Sequence, residues 1–178
     1  MNSYKIKVGL KGLNGKINRV FIVNDNITLD DLCTAIIRSM DGYLGHLYCL
    51  MYDWINYMSD KLDVVDYEDK FMGKMKLSKF NLEVNNKMVL WYDYGDDWYF
   101  NIDVKEVIDG HNDKMITLVK GKGKGILEDC GGIYVLKQII ETGEQLLDPN
   151  DEDYSEWYYD INDFNIDNIN RELAKYYN

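Results

Sequence analysis

One short stretch of the chain gathers carboxylates beside a turn. Asp93, Asp96 and Asp97 lie within residues 92–98, and Glu128 and Asp129 add two more acids further along the chain. Carboxylates are the ligands that Mg²⁺ and Mn²⁺ prefer, and such a cluster would support metal-assisted hydrolysis or phosphoryl chemistry. Asp and Gly are also ordinary turn formers, and Asp side chains cap backbone N–H groups locally. We favour the turn interpretation, which predicts no catalytic residue, no metal and no cofactor.

Other reactive side chains give weaker signals. Cys130 stands after two acids and before Gly131-Gly132 and a predicted helix; a helix N-terminus favours a thiolate, but the acids oppose it. The three cysteines are widely spaced without a CxxC pattern, which predicts reduced, structural thiols and neither a disulfide nor a zinc site. His46 and His111 are too few and too distant in sequence to predict a ligand set. We expect His46 to make a strand-edge hydrogen bond.

Lys and Gly alternate over residues 120–125. Three lysines on such a stretch can contact a phosphate or an acidic segment. The phosphate-binding pattern GxxxxGK[ST] is absent, however, and no predicted helix opens directly after the repeat. The composition therefore predicts a mobile, solvated hairpin connection.

The negative charge of the chain is concentrated near its C-terminal end. The formal net charge is −11, and residues 138–170 contain no Lys or Arg. The 21 acidic residues outside this stretch are almost balanced by the 20 Lys and Arg of the chain. Because phosphate contacts need Lys or Arg, this charge excludes direct nucleic-acid binding through the overall field. The acids of the stretch are Glu141, Glu144, Asp148, Asp151, Glu152, Asp153, Glu156, Asp160, Asp163 and Asp167.

Aromatic residues interrupt this acidic stretch. Some of them must dock the stretch onto the core, since burial is the commoner fate of an aromatic side chain. An acidic surface with aromatic anchors is also suited to a basic protein, because carboxylates steer association and aromatics supply contact area. The predicted partner-binding residues are Asp151, Glu152, Asp153 and Glu156, with Trp157 or Tyr158 as the anchor.

A predicted hairpin positions the acidic turn. Apolar and aromatic runs over residues 88–94 and 98–107 flank it, and we expect Trp91, Trp98 and Ile102 to lie in or beside one core. Strands over residues 4–10 and 17–23, a helix from Leu29 capped by Thr28, and a strand over residues 46–54 precede the hairpin. Residues 56–70 are predicted to be irregular.

Two more helices are predicted after the Gly131-Gly132 break and over residues 167–176. The fold class is therefore α+β, a mixed β-sheet with a β-grasp-like strand–strand–helix–strand start, the central hairpin and a helical acidic C-terminal segment. We expect a single domain over residues 1–178, with an α+β core over 1–137 and the acidic, partly helical segment over 138–178. No apolar run approaches the length of a membrane span. The N-terminal residues lack a signal-peptide layout, so we expect a cytoplasmic protein.

Several motifs occur together in an order typical of one family. They are residues 92–98, residues 128–132 before a helix, Trp157 and Phe164 to Asn170, with Leu29, Leu32, Met40 and His46-Leu47 near the start. The chain resembles the plasmid Ri open-reading-frame-three family, also labelled insertion-element passenger or TnpR-like proteins. The resemblance implies an α+β fold with a β-grasp-like core and a role in mobile genetic elements that is not established. Nothing in the sequence is similar to a serine-recombinase catalytic segment.

The chain departs from this family at four places. The resemblance implies histidines where Cys33, Tyr48 and Phe100 stand, and a Cys-Pro-Pro where residues 125–127 stand. If relatives hold a metal through those groups, most of the ligands are missing here. This departure reinforces the expectation of no zinc-type site.

Two functions from different classes follow from the sequence. The first is a non-catalytic acidic interaction protein of mobile genetic elements that binds a basic host protein. It would act as a DNA mimic, an inhibitor of the anti-CRISPR or anti-restriction type, against a host defence protein that handles nucleic acid. It implies no membrane partner and no direct nucleic-acid contact. The alternative is a metal-dependent hydrolase or nuclease that uses Asp93, Asp96, Asp97 and Glu128.

Overall fold

The computed structural model describes residues 2–59, 70–110, 113–148, 150, 152 and 157–177. It confirms the α+β class, because eight strands form one mixed sheet and three α-helices accompany it in this part of the chain. No helix among these residues is both long and apolar enough to cross a membrane. The strands are β1 Asn2–Leu10, β2 Asn18–Asn24, β3 Tyr48–Tyr52, β4 Ile55–Met58, β5 Lys70–Phe71, β6 Lys87–Tyr92, β7 Trp98–Asp109 and β8 Ile116–Lys122. The helices are α1 Leu29–Ser39, α2 Ile133–Thr142 and α3 Ile166–Tyr176, with a short 3-10 helix at Leu77–Phe80.

The strand order across the sheet is β5-β4-β3-β6-β7-β1-β2-β8. All neighbouring strands are antiparallel except the short β4–β5 pair. The predicted order of strand, strand, helix and strand at the start is observed. The β-grasp detail is not confirmed, since β1 is flanked by β2 and β7 and both pairings are antiparallel.

The hairpin of β6 and β7 lies in the middle of the sheet, as predicted. Its register pairs Tyr92 with Trp98, and Trp98 and Ile102 are fully buried in the core. Trp91 is half-buried on the opposite face, where its ring stacks on Tyr99 with centroids 5.5 Å apart. Alternation along a strand explains the split, because neighbouring residues point to opposite faces.

Helix α1 begins at the predicted cap. The Thr28 hydroxyl accepts a hydrogen bond from the Asp31 backbone N–H at 3.0 Å, which satisfies one of the unpaired donors of the first turn. Its apolar face, which includes Leu32 and Ile36, is completely buried in the core. Helix α1 therefore fixes the position of the loop that follows it, residues 41–47.

The stretch after β3 differs from the sequence-based prediction. The strand predicted over 46–54 spans Tyr48–Tyr52, and β4 at Ile55–Met58 extends into residues 56–70, where irregular structure was expected. Asp53 and Trp54 both have positive φ, 50° and 64°, and they form a two-residue hairpin turn without a glycine. A tryptophan in this conformation carries no turn signal in the sequence, which explains the wrong prediction. Residues 60–69 lie outside the described residues.

The C-terminal segment packs on the edge of the sheet. Helix α2 runs across the expected boundary between residues 137 and 138, and α3 matches the predicted last helix to within one residue. The Asn170 side-chain amide pairs with the edge strand β8, because its Oδ1 accepts from the Leu118 N–H at 2.9 Å and its Nδ2 donates to the Leu118 carbonyl at 2.8 Å. The Tyr159 hydroxyl donates to the Gly125 carbonyl at 2.9 Å.

Candidate functional site

Three loops meet at one end of β3 and β6. They are residues 41–47 after α1, the turn between β6 and β7, and residues 123–132 before α2. The antiparallel register pairs Tyr48 with Tyr92, so the residue before β3 lies beside the residue after β6. The Asp93 backbone N–H accordingly donates to the Leu47 carbonyl at 2.9 Å. This pairing brings His46 next to the acidic turn.

His46, Asp93 and Glu128 form a compact cluster. One nitrogen or oxygen from each residue lies within 4.8 Å of the others. His46 Nδ1 is 3.6 Å from Asp93 Oδ1, and His46 Nε2 is 3.7 Å from Glu128 Oε2. These separations are longer than N–H···O hydrogen bonds. The two distances start from different ring nitrogens, and one ion would take only one of them together with one oxygen from each carboxylate. A small inward movement of the side chains would bring three such atoms to about 2.1 Å from a shared ion.

Glu128 is held in place by only one of its two oxygens. Oε1 accepts hydrogen bonds from the Tyr43 backbone N–H and from the Tyr92 hydroxyl, both at 2.7 Å. Oε2 has no hydrogen-bond donor among the described residues, although the Glu128 side chain is only 2% exposed. Burial and the bond to Glu128 raise the pKa of Tyr92, which keeps this hydroxyl a donor. A buried carboxylate oxygen without a donor is costly unless a cation or ligand completes it.

Asp93 and Asp129 complete the surroundings of His46. Asp93 is buried, has a φ of 56°, and accepts from the Gly95 N–H at 2.9 Å through Oδ1. Asp129 Oδ1 lies 3.4 Å from His46 Nε2, and its side chain is 63% exposed. The cluster is therefore buried at Asp93 and Glu128 and accessible to water at His46 and Asp129.

The structure separates the remaining predicted acids from this cluster. Both carboxylate oxygens of Asp96 lie 3.2 Å from the Gly131 N–H, which ties the hairpin turn to the start of α2. Burial raises the pKa of Asp96, and Asp93 and Asp129 act in the same direction. Asp97 Oδ1 accepts from the Trp91 indole N–H at 2.9 Å, so this carboxylate has a structural role.

Cys130 is not activated as a nucleophile. Its side chain is buried, and burial raises the pKa of the thiol to about 11. The Sγ atom lies 3.7 Å from the Gly132 carbonyl. The thiol is therefore protonated at neutral pH.

Sequence reasoning missed His46 as a member of the cluster. The histidine was judged by the number and spacing of histidines, whereas its position depends on the pairing of two distant strands. A sequence signal did exist, because His46 stands two residues before β3 and Asp93 directly after β6. His111 lies outside the described residues.

The predicted partner-binding residues are only partly described. Glu152 and Tyr158 are exposed, and Trp157 is half-buried against the core. Asp151, Asp153 and Glu156 lie outside the described residues.

Comparison with known proteins gives the family of the chain. Residues 2–171 match the family described as "Plasmid pRiA4b ORF-3-like protein". This chain belongs to the plasmid pRiA4b ORF-3-like protein family. A protein of unknown function from Methanosarcina mazei Go1 has a similar fold, with a TM-score of 0.71 and 24% sequence identity over 94% of this chain and 97% of that one. No curated protein matches the sequence.

The positions where this plasmid pRiA4b ORF-3-like protein departs from the expected histidines are core positions. Cys33, Tyr48 and Phe100 are each at most 1% exposed. The Tyr48 hydroxyl donates to Asp30 Oδ1 at 2.7 Å. The histidine of the cluster described above is thus a different residue, His46.

Proposed function

We propose that this protein binds one divalent transition-metal ion through His46, Asp93 and Glu128 and uses it to activate water for hydrolysis. The observation that carries the proposal is the buried Glu128 Oε2, which lacks a hydrogen-bond donor and faces the His46 ring. One imidazole and two carboxylates suit Zn²⁺ or Mn²⁺ better than Mg²⁺, which prefers oxygen ligands alone. The proposal departs from the sequence-based expectation of no metal because that expectation omitted His46.

Three protein ligands and an open side are typical of catalytic metal sites. A fourth position remains for water in such a site, and the bound ion lowers the pKa of that water toward neutrality. If an ion were bound by these residues, Asp129, exposed and 3.4 Å from His46 Nε2, would be the carboxylate available to accept a proton there. Tyr92 and the Tyr43 N–H act on Glu128 and position it; they are not ligands.

The surroundings of the cluster favour a hydrolase over a nuclease. A cavity of about 410 Å³ adjoins the cluster through Glu128, which lines it together with Tyr43, whereas His46 and Asp93 do not line it. Its charged residues are of both signs, Arg38 and Lys124 with Asp41 and Glu172. Such a lining lacks the excess of Lys and Arg that contacts to the phosphate backbone of a nucleic acid require. We therefore propose a small substrate with a hydrolysable ester or amide bond.

Metal titration of chelator-treated protein tests this proposal. We expect Zn²⁺ or Mn²⁺ to bind with a stoichiometry of one and a Kd of about 1 μM or tighter. Glu128→Gln and Asp93→Asn should each weaken binding by about 100-fold, since each removes a charged ligand. Asp97→Asn is the matched control, because Asp97 accepts from Trp91 and should leave the affinity unchanged. Metal-stimulated hydrolysis of p-nitrophenyl esters then tests the chemistry. Absence of a stoichiometric site, or equal losses in all three variants, contradicts the proposal.

We also propose, as a second candidate, the acidic interaction protein of mobile genetic elements. It is supported by the arrangement of two neighbouring tyrosines. Tyr159 is buried and bonded to the Gly125 carbonyl, whereas Tyr158 is 45% exposed. The acidic segment is therefore anchored to the core while it presents an aromatic side chain to solvent, as a protein interface requires. Under this proposal the partner is a basic, nucleic-acid-handling host protein that the acidic segment blocks as a DNA mimic.

Charge neutralisation tests the second candidate. The variant replaces Asp151, Glu152, Asp153 and Glu156 with Asn or Gln, and the control replaces Glu141 and Glu144 with Gln. A partner captured from host lysate should bind the first variant at least about tenfold more weakly, with a flatter salt dependence between about 50 and 300 mM. Unchanged affinity across this range overturns the DNA-mimic proposal.

A further inference from the structure

A second cavity lies where β8 meets the acidic C-terminal segment. Its volume is about 460 Å³. Lys16, Lys122 and Gly123 contribute to its lining, together with the apolar side chains of Ile140, Ile161 and Phe164. Neither lysine forms an ion pair with any described residue. The cavity therefore combines free positive charge with an apolar surface.

A buried arginine stands against the wall of this cavity. Arg19 on β2 is completely buried, and its guanidinium carbon is 4.5 Å from the centre of the Phe164 ring. Its Nη1 donates to the Lys122 carbonyl at 3.0 Å and to the Gly123 carbonyl at 2.8 Å. The residues that hold the guanidinium are thus the residues that line the cavity.

The hydrogen bonding of Arg19 is incomplete. Nε donates to the Ser39 carbonyl at 2.9 Å, but Nη2 has no partner among the described residues. No carboxylate of the described chain lies within 4 Å of the guanidinium, although Asp41 acts on it from farther away. Burial lowers the pKa of Arg19 to about 10, which leaves the group charged at neutral pH. A buried cation held only by carbonyls is stabilised further by an anion.

The nearby acid does not supply this anion. Asp163 is adjacent to Phe164 in sequence, and its Oδ2 lies 3.3 Å from Lys124 Nζ. The glycine repeat, which the sequence predicted to be a mobile connection, instead forms the end of β8 and the wall of the cavity. Gly123 has a φ of 77°, and a Cβ at this position would lie 2.5 Å from the Lys16 carbonyl oxygen. Only glycine lets the two lysine-bearing segments approach this closely.

We propose that this cavity binds a small organic anion, a carboxylate or phosphate joined to an apolar group. The anionic end contacts Lys16 and Lys122, and the apolar end packs against Ile140, Ile161 and Phe164. Arg19 is completely buried behind this lining and adds positive charge from there without touching the ligand. This site shares no residue with the cluster of His46, Asp93 and Glu128. The proposal is therefore independent of the proposed metal chemistry.

Titration with model anions, followed by NMR of the full chain, tests the site. The probes are phenyl phosphate, benzoate, inorganic phosphate and, as the neutral control, phenol. We expect phenyl phosphate or benzoate to bind with a Kd of about 1 mM or tighter and to shift the Arg19 Nε–H resonance. Phenol and inorganic phosphate should each bind at least about tenfold more weakly, since each lacks half of the recognised chemistry. The ratio of the first two affinities distinguishes a phosphate from a carboxylate ligand.

Lysine variants on the cavity wall provide the second part of the test. The double variant Lys16→Gln and Lys122→Gln should weaken binding of the better anion at least about tenfold. Lys120→Gln is the matched control, because Lys120 is exposed on the same strand and outside the cavity lining. The proposal is overturned if neither organic anion binds below about 5 mM, if phenol binds equally well, or if the double variant and the control behave alike.

Discussion

The protein holds two buried ionisable groups of opposite sign in differently built surroundings. Glu128 lies on a loop, with one oxygen bonded by Tyr43 and Tyr92 and the other facing His46. Arg19 lies on β2, beside the edge strand β8, with most of its N–H groups bonded to backbone carbonyls. The bonds of Arg19 all run to backbone carbonyls, whereas Glu128 accepts from one backbone N–H and one buried tyrosine hydroxyl.

This difference in hydrogen bonding suggests that the charge of Arg19 stabilises the fold and that the charge of Glu128 serves binding or chemistry. Removal of Arg19 leaves buried acceptors unpaired, so its first role is to stabilise the fold. Removal of the charge on Glu128 relieves the crowding of carboxylates beside Asp93 and Asp129. A charge whose loss does not harm the fold is retained for binding or chemistry, and this contrast can be measured directly.

The largest expected effect is on stability at Arg19. Arg19→Met should lower the free energy of unfolding by about 3 kcal/mol or more, because several buried carbonyls lose their donor at once. Urea unfolding followed by circular dichroism measures this loss. Arg171→Met, on the exposed face of α3, is the control and should change stability by less than about 0.5 kcal/mol. A loss below about 1 kcal/mol at Arg19 would remove the contrast between the two groups.

A smaller effect is expected at the tyrosine that positions Glu128. Tyr92→Phe removes the hydroxyl that donates to Oε1, and metal affinity should fall about tenfold. Calorimetric titration with Zn²⁺ measures the change. Tyr134→Phe alters a side chain that is 82% exposed and should leave affinity unchanged. Equal affinity in the Tyr92 variant and the wild type would show that this bond does not orient the proposed ligand.

In the metal-free protein, Glu128→Gln should not lower the free energy of unfolding, in contrast to Arg19→Met. In Glu128→Gln the side-chain oxygen still accepts from Tyr43 and Tyr92, and the new amide N–H can donate toward Asp93. We expect the free energy of unfolding to stay the same or to rise by up to about 1 kcal/mol. Glu141→Gln on the exposed side of α2 sets the baseline. A decrease of more than about 1 kcal/mol would make Glu128 a structural residue.

The smallest effect is expected at Cys130. A thiol is protonated below its pKa, so with a pKa of about 11 only about one thousandth of Cys130 is thiolate at pH 8. Iodoacetamide labelling of this residue, read by mass spectrometry, should be slow at pH 8 and accelerate as the pH rises toward the pKa. Cys130→Ser should keep Zn²⁺ affinity within about twofold. A large loss of affinity would add a sulfur ligand to the site.

Local sequence signals predicted the parts of the fold that depend on local chemistry. The Thr28 cap, the β6–β7 hairpin and the last helix all follow from capping residues, turn residues and apolar spacing. The same signals placed Asp93 and Glu128 among the candidate acids. They failed at Asp53-Trp54, where the pairing of β3 with β4 closes a two-residue turn although Trp54 is an unfavourable residue for positive φ.

The composition of the site depended on pairing between distant segments. His46 and Asp93 are 47 positions apart, and only the register of β3 against β6 brings them together. The role of Asp96 likewise depends on Gly131, which is 35 positions away, whereas Asp97 bonds to Trp91 of the same hairpin. The positions of His46 before one strand and Asp93 after another are visible in the sequence, but the pairing of those two strands is not.

Anomalous diffraction from crystals soaked in Mn²⁺ tests the central claim most directly. We predict one anomalous difference peak bounded by His46, Asp93 and Glu128, with each ligand atom about 2.0–2.3 Å from the ion. The peak should be absent in crystals of Glu128→Gln. A map without a peak at this position, while exposed acids such as Asp148 bind the ion, would contradict the proposed metal site.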